Sequence, residues 1–226
     1  MTPALPAAVL WDLDGTLLDS EKLWDIPLYE LTEKLGGELS LPTRQAMVGT
    51  NVKRTLDLVY GEVGIDAPTP EQLADGAAWI DRRMAEVFRG DLPWRPGARS
   101  ALAMVRAAGF PMALVTSTER NLTEIALDTI GRSLFDVTVC GDEVGGLNKP
   151  HPQPYLLAAR LLGVDPAACV AIEDSPTGTA SAADAGCAVL VVPCEVEVEP
   201  GERRFFRSSL AGLTVAELTA LVARAR

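Results

Sequence analysis

Five short runs rich in Val, Ile, Leu and Ala, at residues 7–11, 111–116, 135–140, 169–172 and 187–192, constrain this chain more than any other feature of it. The runs are continuous instead of alternating, so neither face of such a strand can be left to water. Strands buried on both faces belong to a parallel sheet covered by helices on each side. Helix-length segments separate the later runs, at 98–108, 121–130, 154–162 and 178–185. The expected fold is therefore α/β, a doubly wound, Rossmann-like parallel sheet. Hydrophobic residues make up 48% of the 226, enough for a sizeable buried core.

One interval breaks the alternation. From about Ser20 to Leu92 no strand is expected, only amphipathic stretches with turn signals at Gly36-Gly37, at Ser40-Leu41-Pro42 and at 67–70. This reads as a small α-helical insertion placed directly after the first strand. In an open α/β sheet the ligand crevice lies outside the carboxyl ends of the strands, so an insertion there would roof it. The expected division is a core domain of 1–19 and 93–226 with an inserted helical cap of 20–92. Residues 92–97 form the return linker, and 195–204 a solvated loop.

Charge narrows the partners. Against 31 acidic residues stand 16 Arg and 4 Lys, a formal charge of −11, which opposes any broad footprint for nucleic acid or anionic lipid. A phosphorylated small molecule is compatible only where a metal cation or a focused base reverses the repulsion locally. The N-terminal residues lack the positively charged start of a signal peptide, and no apolar run approaches the roughly 18 residues of a membrane helix. Cys140, Cys169, Cys187 and Cys194 contain no Cys-x-x-Cys pair and accompany a single histidine, His151. They are expected as reduced core residues of a cytoplasmic protein that makes no membrane contact and is a monomer or weak homo-oligomer.

Polar residues cluster where strands are expected to end. The first run closes in Trp11-Asp12-Leu13-Asp14-Gly15-Thr16, two carboxylates ahead of a glycine that permits a tight reversal. The second closes in Thr116-Ser117-Thr118, hydroxyls able to donate to and accept from a phosphoryl oxygen, although Ser and Thr also serve as helix N-caps. Asn148-Lys149-Pro150-His151-Pro152 holds one of the few lysines rigidly ahead of a helix, with His151 read as structural. Ala171-Ile172-Glu173-Asp174-Ser175 adds two more carboxylates. Hard oxygen ligands without His or Cys nearby suit Mg²⁺.

These segments, in this order, resemble the signature motifs of the haloacid dehalogenase superfamily, and the insertion is similar to the small helical cap of its β-phosphoglucomutase and sugar-phosphatase branch. The resemblance implies Asp12 as a nucleophile forming an aspartyl-phosphate and Asp14 as acid and base. Thr116, with Ser117 and neighbouring amides, would bind phosphoryl oxygens, and Lys149 would neutralise the transferring group. Mg²⁺ would be held by Asp12, the Asp14 carbonyl and Asp174, with Glu173 acting through a bound water. A second Asp at Asp14 separates this pattern from dehalogenases and points to phosphate esters.

Asp19-Ser20-Glu21-Lys22-Leu23-Trp24 lacks the cap histidine of the phosphomutases, and in Gly49-Thr50-Asn51-Val52-Lys53-Arg54 the basic pair is displaced from the arginine those enzymes use. Asp19-Ser20-Glu21-x-Leu23-Trp24, with Lys149-Pro150-His151-Pro152-Gln153-x-Tyr155, looks like the small hexose- and hexitol-phosphate phosphatases. The expected function is thus a Mg²⁺-dependent phosphatase for small sugar or polyol phosphates. Trp24 would stack on a sugar face, or pack in the core, and Asn51 or Lys53 would contact hydroxyls. The alternatives are a sugar phosphomutase and a non-catalytic phosphate-ligand binding module.

Overall fold

The computed structural model describes residues 5–48 and 50–225; Gly49, part of the displaced basic segment, lies outside the described residues. The first strand, β1 (Ala8–Trp11), is followed by α1 (Glu21–Lys34), α2 (Leu41–Met47), α3 (Val52–Glu62) and α4 (Pro70–Phe88) before the second strand begins. Then come α5 (Ala98–Ala107), β2 (Met112–Val115), α6 (Arg120–Ile130), β3 (Val137–Val139), α7 (Gln153–Leu162), β4 (Cys169–Glu173), α8 (Pro176–Asp184), β5 (Ala188–Val191), β6 (Arg204–Phe206) and α9 (Val215–Arg224). All strands pair in parallel in the order β3-β2-β1-β4-β5-β6, so β1 lies inside the sheet between β2 and β4.

The continuous apolar runs are explained by the two layers. Val9, Trp11, Met112 and Leu114 enter one core cluster with Leu102, Leu122 and Leu218 from α5, α6 and α9. Ala8, Leu10, Ala113 and Val115 enter the other with Tyr155, Ala158 and Ala182 from α7 and α8. Alternate side chains thus point to opposite faces, and both faces are dry. The first cluster continues without a break into the insertion through Leu28, Leu56, Ile80 and Phe88.

Among the described residues the interval from α1 to α4 contains helices and no strand. The chain leaves and re-enters the sheet side by side: Leu18 and Trp94 form an antiparallel bridge, the Asp19 amide donates to the Pro93 carbonyl at 2.8 Å, and the Arg95 amide donates to the Leu17 carbonyl at 2.9 Å. Ser40-Leu41-Pro42, read as a turn, is the start of α2, where the Ser40 hydroxyl caps the Thr43 amide. One strand was not expected. β6 begins at the end of the presumed solvated loop, and its Arg-Phe-Phe sequence carries no apolar run because an edge strand needs none.

Candidate active site

Strand register assembles the site. Trp11 pairs with Leu114 on one side and with Ile172 on the other, so the next residue of each strand, Asp12, Val115 and Glu173, lies at a common level along the carboxyl edge. The Asp12 amide donates to the Ile172 carbonyl at 3.1 Å and fixes that level. Lys149 enters from the segment before α7. Its Nζ donates to Asp12 Oδ1 at 2.7 Å, Glu173 Oε1 at 2.6 Å and the Val115 carbonyl at 3.0 Å. All three ammonium protons are therefore used within a buried group.

Glu173 is clamped further. The Tyr155 hydroxyl, on α7, donates to Glu173 Oε1 at 2.5 Å, and the Asp174 amide and Ser175 hydroxyl reach Oε2 at 3.3 and 3.4 Å. A Cβ at Gly178 would stand 2.1 Å from this carboxylate, so only glycine leaves room for it. Burial and the Glu173 carboxylate push the Asp12 carboxyl up to about 7, with Lys149 opposing. Burial alone would lower Lys149, but the Asp12 and Glu173 carboxylates outweigh it and hold the ammonium above its ordinary value.

Asp14 sits half-buried at the cleft, two residues on, beyond which Gly15 turns the chain at φ +80°. It accepts three hydrogen bonds: from the Ser20 hydroxyl at 2.6 Å, the Thr118 hydroxyl at 2.7 Å and Trp24 Nε1 at 3.2 Å. Thr116, buried after β2, donates its amide to the Val139 carbonyl at 3.0 Å, and its hydroxyl accepts from the Thr118 amide at 3.0 Å. These residues border a cleft that is open to solvent. Asp12, Asp14, Thr116, Ser117, Lys149 and Asp174 line its floor; Trp24, Leu28, Met47, Thr50, Val52, Thr55 and Ile80 line the wall contributed by the insertion.

The core residues singled out in the sequence are thus brought together, but the insertion residues divide. Trp24 lines the cleft, donates to Asp14 and packs edge-on against Phe88 at 6.2 Å. Asn51 is the N-cap of α3, its side chain accepting from the Arg54 amide at 2.9 Å, and Lys53 is exposed on α3; neither is among the lining residues. His151 is exposed, accepting from the Gln153 amide at 3.1 Å. Thr118 and Ser20 were within reach of sequence reasoning, as hydroxyls inside quoted motifs. Arg44, a buried cation on α2 that lines the cleft, carried no signal at all.

Asp12, Glu173 and Asp174 each offer an oxygen within 4.8 Å of the others, all buried, and the Thr16 hydroxyl donates to Asp174 Oδ1 at 3.4 Å. Asp12 Oδ2 is buried and accepts no hydrogen bond. Three carboxylates against one lysine leave an excess of negative charge, and this hard oxygen set fits a small divalent cation.

A parallel sheet whose interior strand ends in a lysine-paired carboxylate, with a second carboxylate two residues on and an acidic pair from the next strand, is a site built for work on an anionic group. The chain belongs to the haloacid dehalogenase-like hydrolases, whose family model matches residues 6–186. It is 31% identical to hexitol phosphatase B of Escherichia coli (strain K12), over 99% of this chain and 97% of that protein. It superposes with a TM-score of 0.82 on the CbbY of Rhodobacter sphaeroides solved with xylulose-(1,5)bisphosphate, at 28% identity over 95% of this chain and 99% of that one. A β-phosphoglucomutase from Clostridium difficile shares the fold, with a TM-score of 0.84 at 20% identity over 97% of this chain and 98% of that one.

Proposed function

We propose that this protein is a phosphatase for phosphate monoesters of sugars or polyols, acting through an aspartyl-phosphate on Asp12. The observation that carries the reading is the contrast between the two Asp12 oxygens. Oδ1 is tied to Lys149, whereas Oδ2 accepts no hydrogen bond beside a cleft lined by Asp12. Oδ2 attacks phosphorus, and the bond to the ester oxygen breaks. Asp14 gives its proton to the leaving oxygen, then takes one from the water that attacks the phosphorylated Asp12, so inorganic phosphate is released and both aspartates are restored.

The Ser20 and Thr118 hydroxyls that donate to Asp14 can turn and accept instead, which allows either protonation state to be held in one place. Thr116, Ser117 and the amides around them would bind phosphoryl oxygens while Lys149 balances their charge. Asp12, the Asp14 carbonyl and Asp174 would hold Mg²⁺, with Glu173 behind them. When bound, the ion supplies positive charge against the phosphoryl oxygens. Residues 20–92 act as a cap over a core of 1–19 and 93–226. The protein is read as a cytoplasmic monomer or weak homo-oligomer; among the described residues no helix is long and apolar enough to cross a membrane.

The test is phosphate release from a panel of sugar, polyol, glycolate and nucleotide monoesters with Mg²⁺, beside Asp12→Asn and a chelator control. Release confined to sugar or polyol esters and lost in both controls is expected, with Asp12→Asn at least about 10³-fold slower. Isomerised sugar phosphate without free phosphate would instead establish a mutase, and no reaction of either kind would leave a binding module.

A further inference from the structure

The proposed substrate class leaves open what the rest of the ester carries, and the two kinds of relative differ on that point: one is named for hexitol phosphates, the other was solved with a bisphosphate. The far wall of the cleft bears on the choice. Among its described lining residues the cations are Lys149, already committed to Asp12 and Glu173, and Arg44. Arg44 is buried on α2 and is itself ion-paired to Asp25 on α1 through Nε and to Glu195, in the loop after β5, at 3.8 Å through Nη2.

We infer that Arg44, neutralised by Asp25 and Glu195, selects an uncharged hydroxylated substrate body and disfavours a second phosphate. The inference rests on the phosphatase reading and narrows its substrate. Arg44 lines the cleft, and its positive charge is already engaged by Asp25 and Glu195, neither of which is among the lining residues. A second phosphate would have to draw Arg44 away from both carboxylates. A sugar or polyol hydroxyl asks for no such exchange, because as a neutral group it can accept from the guanidinium without displacing either carboxylate. The rest of the wall agrees: the Thr50 and Thr55 hydroxyls, 3.1 Å apart, stand among Leu28, Val52 and Ile80, polar points on an apolar surface such as a carbon chain bearing hydroxyls would meet.

The test compares sorbitol 6-phosphate with fructose 1,6-bisphosphate. Binding to the Asp12→Asn protein is measured by calorimetry, and kcat and KM are measured on otherwise unaltered enzyme. The monophosphate is expected to bind at least about tenfold more tightly. Glu195→Gln, in an exposed loop, should shift the affinity ratio several-fold toward the bisphosphate, and Asp25→Asn should add to it. Arg44→Met, which bares both carboxylates, should shift the ratio the opposite way. In turnover these changes should appear in KM for the bisphosphate more than in kcat. Equal or tighter binding of the bisphosphate by the parent, a ratio unmoved by Glu195→Gln and Arg44→Met, or binding of neither ester would each overturn the inference. Expected binding ratios without turnover of either ester would overturn the phosphatase reading instead.

Discussion

Tyr155 and Lys149 both donate to the same oxygen of Glu173, at 2.5 and 2.6 Å, and all three side chains are buried. Burial and the Glu173 carboxylate hold the Tyr155 phenol well above its ordinary value, so it remains a donor at any working pH. Replacing Tyr155 by Phe keeps the ring in place and removes one hydrogen bond from a buried carboxylate, a loss of about 1–3 kcal/mol. The melting temperature of Tyr155→Phe should fall by about 2–10 °C. Phosphate release should fall with it, because Glu173 would then rest more heavily on Lys149. Wild-type melting and turnover in that variant would show that the hydroxyl merely fills space. Here the limits of sequence reading are visible. Asp12, Asp14 and Asp174 stand out because they close apolar runs, and Lys149 because it is one of four lysines, held between Asn148 and Pro150 ahead of a helix. The Tyr155 partnership depends on the rotation of α7 about its axis, and the Arg44 pairing on residues from three separate elements, neither of which spacing encodes.

At the level of elements, the β2–β3 edge is held by Asp136, whose Oδ2 accepts the Met112 amide at 2.9 Å while its own amide donates to the Met112 carbonyl at 2.9 Å. Arg106 at the end of α5 reaches the same carboxylate at 3.1 Å. The Met112 amide, helped by Arg106 and opposed by partial burial, holds the Asp136 carboxyl below its ordinary value. The native state therefore binds fewer protons there than the unfolded chain, so the contribution is complete above an unfolded value near ~3.9 and is lost as pH falls through the lower native value. Asp136→Asn should cost less than about 1 kcal/mol at neutral pH, since the pair is half-exposed, and the gap in urea midpoint between variant and parent should close by about pH 2–3. A gap independent of pH would remove the electrostatic account. Elements built on long apolar runs, β1, β2, β4 and β5, were legible because burial on both faces leaves no alternative composition. β6 and α2 were not, one being a short edge and the other a two-turn helix whose start reads as a turn.

For the whole molecule, the two chain crossings at Leu18 and Trp94 tie the insertion to the sheet at one place, while Arg44 and Glu195 join it to the loop after β5. The Asp81 carboxylate on α4 accepts from Asn121 on α6, and Trp24 on α1 donates to Asp14. If residues 20–92 move as a cap, amide exchange across 17–20 and 92–96 should slow when Mg²⁺ and orthovanadate are added, and more than exchange in β5 does. Equal change in both would argue for a rigid enclosure. The sheet order carries a further consequence for synthesis on the ribosome. β1 is the first of the described strands to be translated, yet its second neighbour is β4, and 158 residues separate Thr16 from its partner Asp174. At about 5–20 residues per second, that delay is roughly 8–30 seconds. Until β2 is made this fully apolar strand has neither neighbour, and until β4 is made one of its edges stays unpaired. Among the described strands the nascent chain is thus most exposed to misassembly at β1, and the carboxylates at the ends of β1 and β4 meet only after β4 has been made.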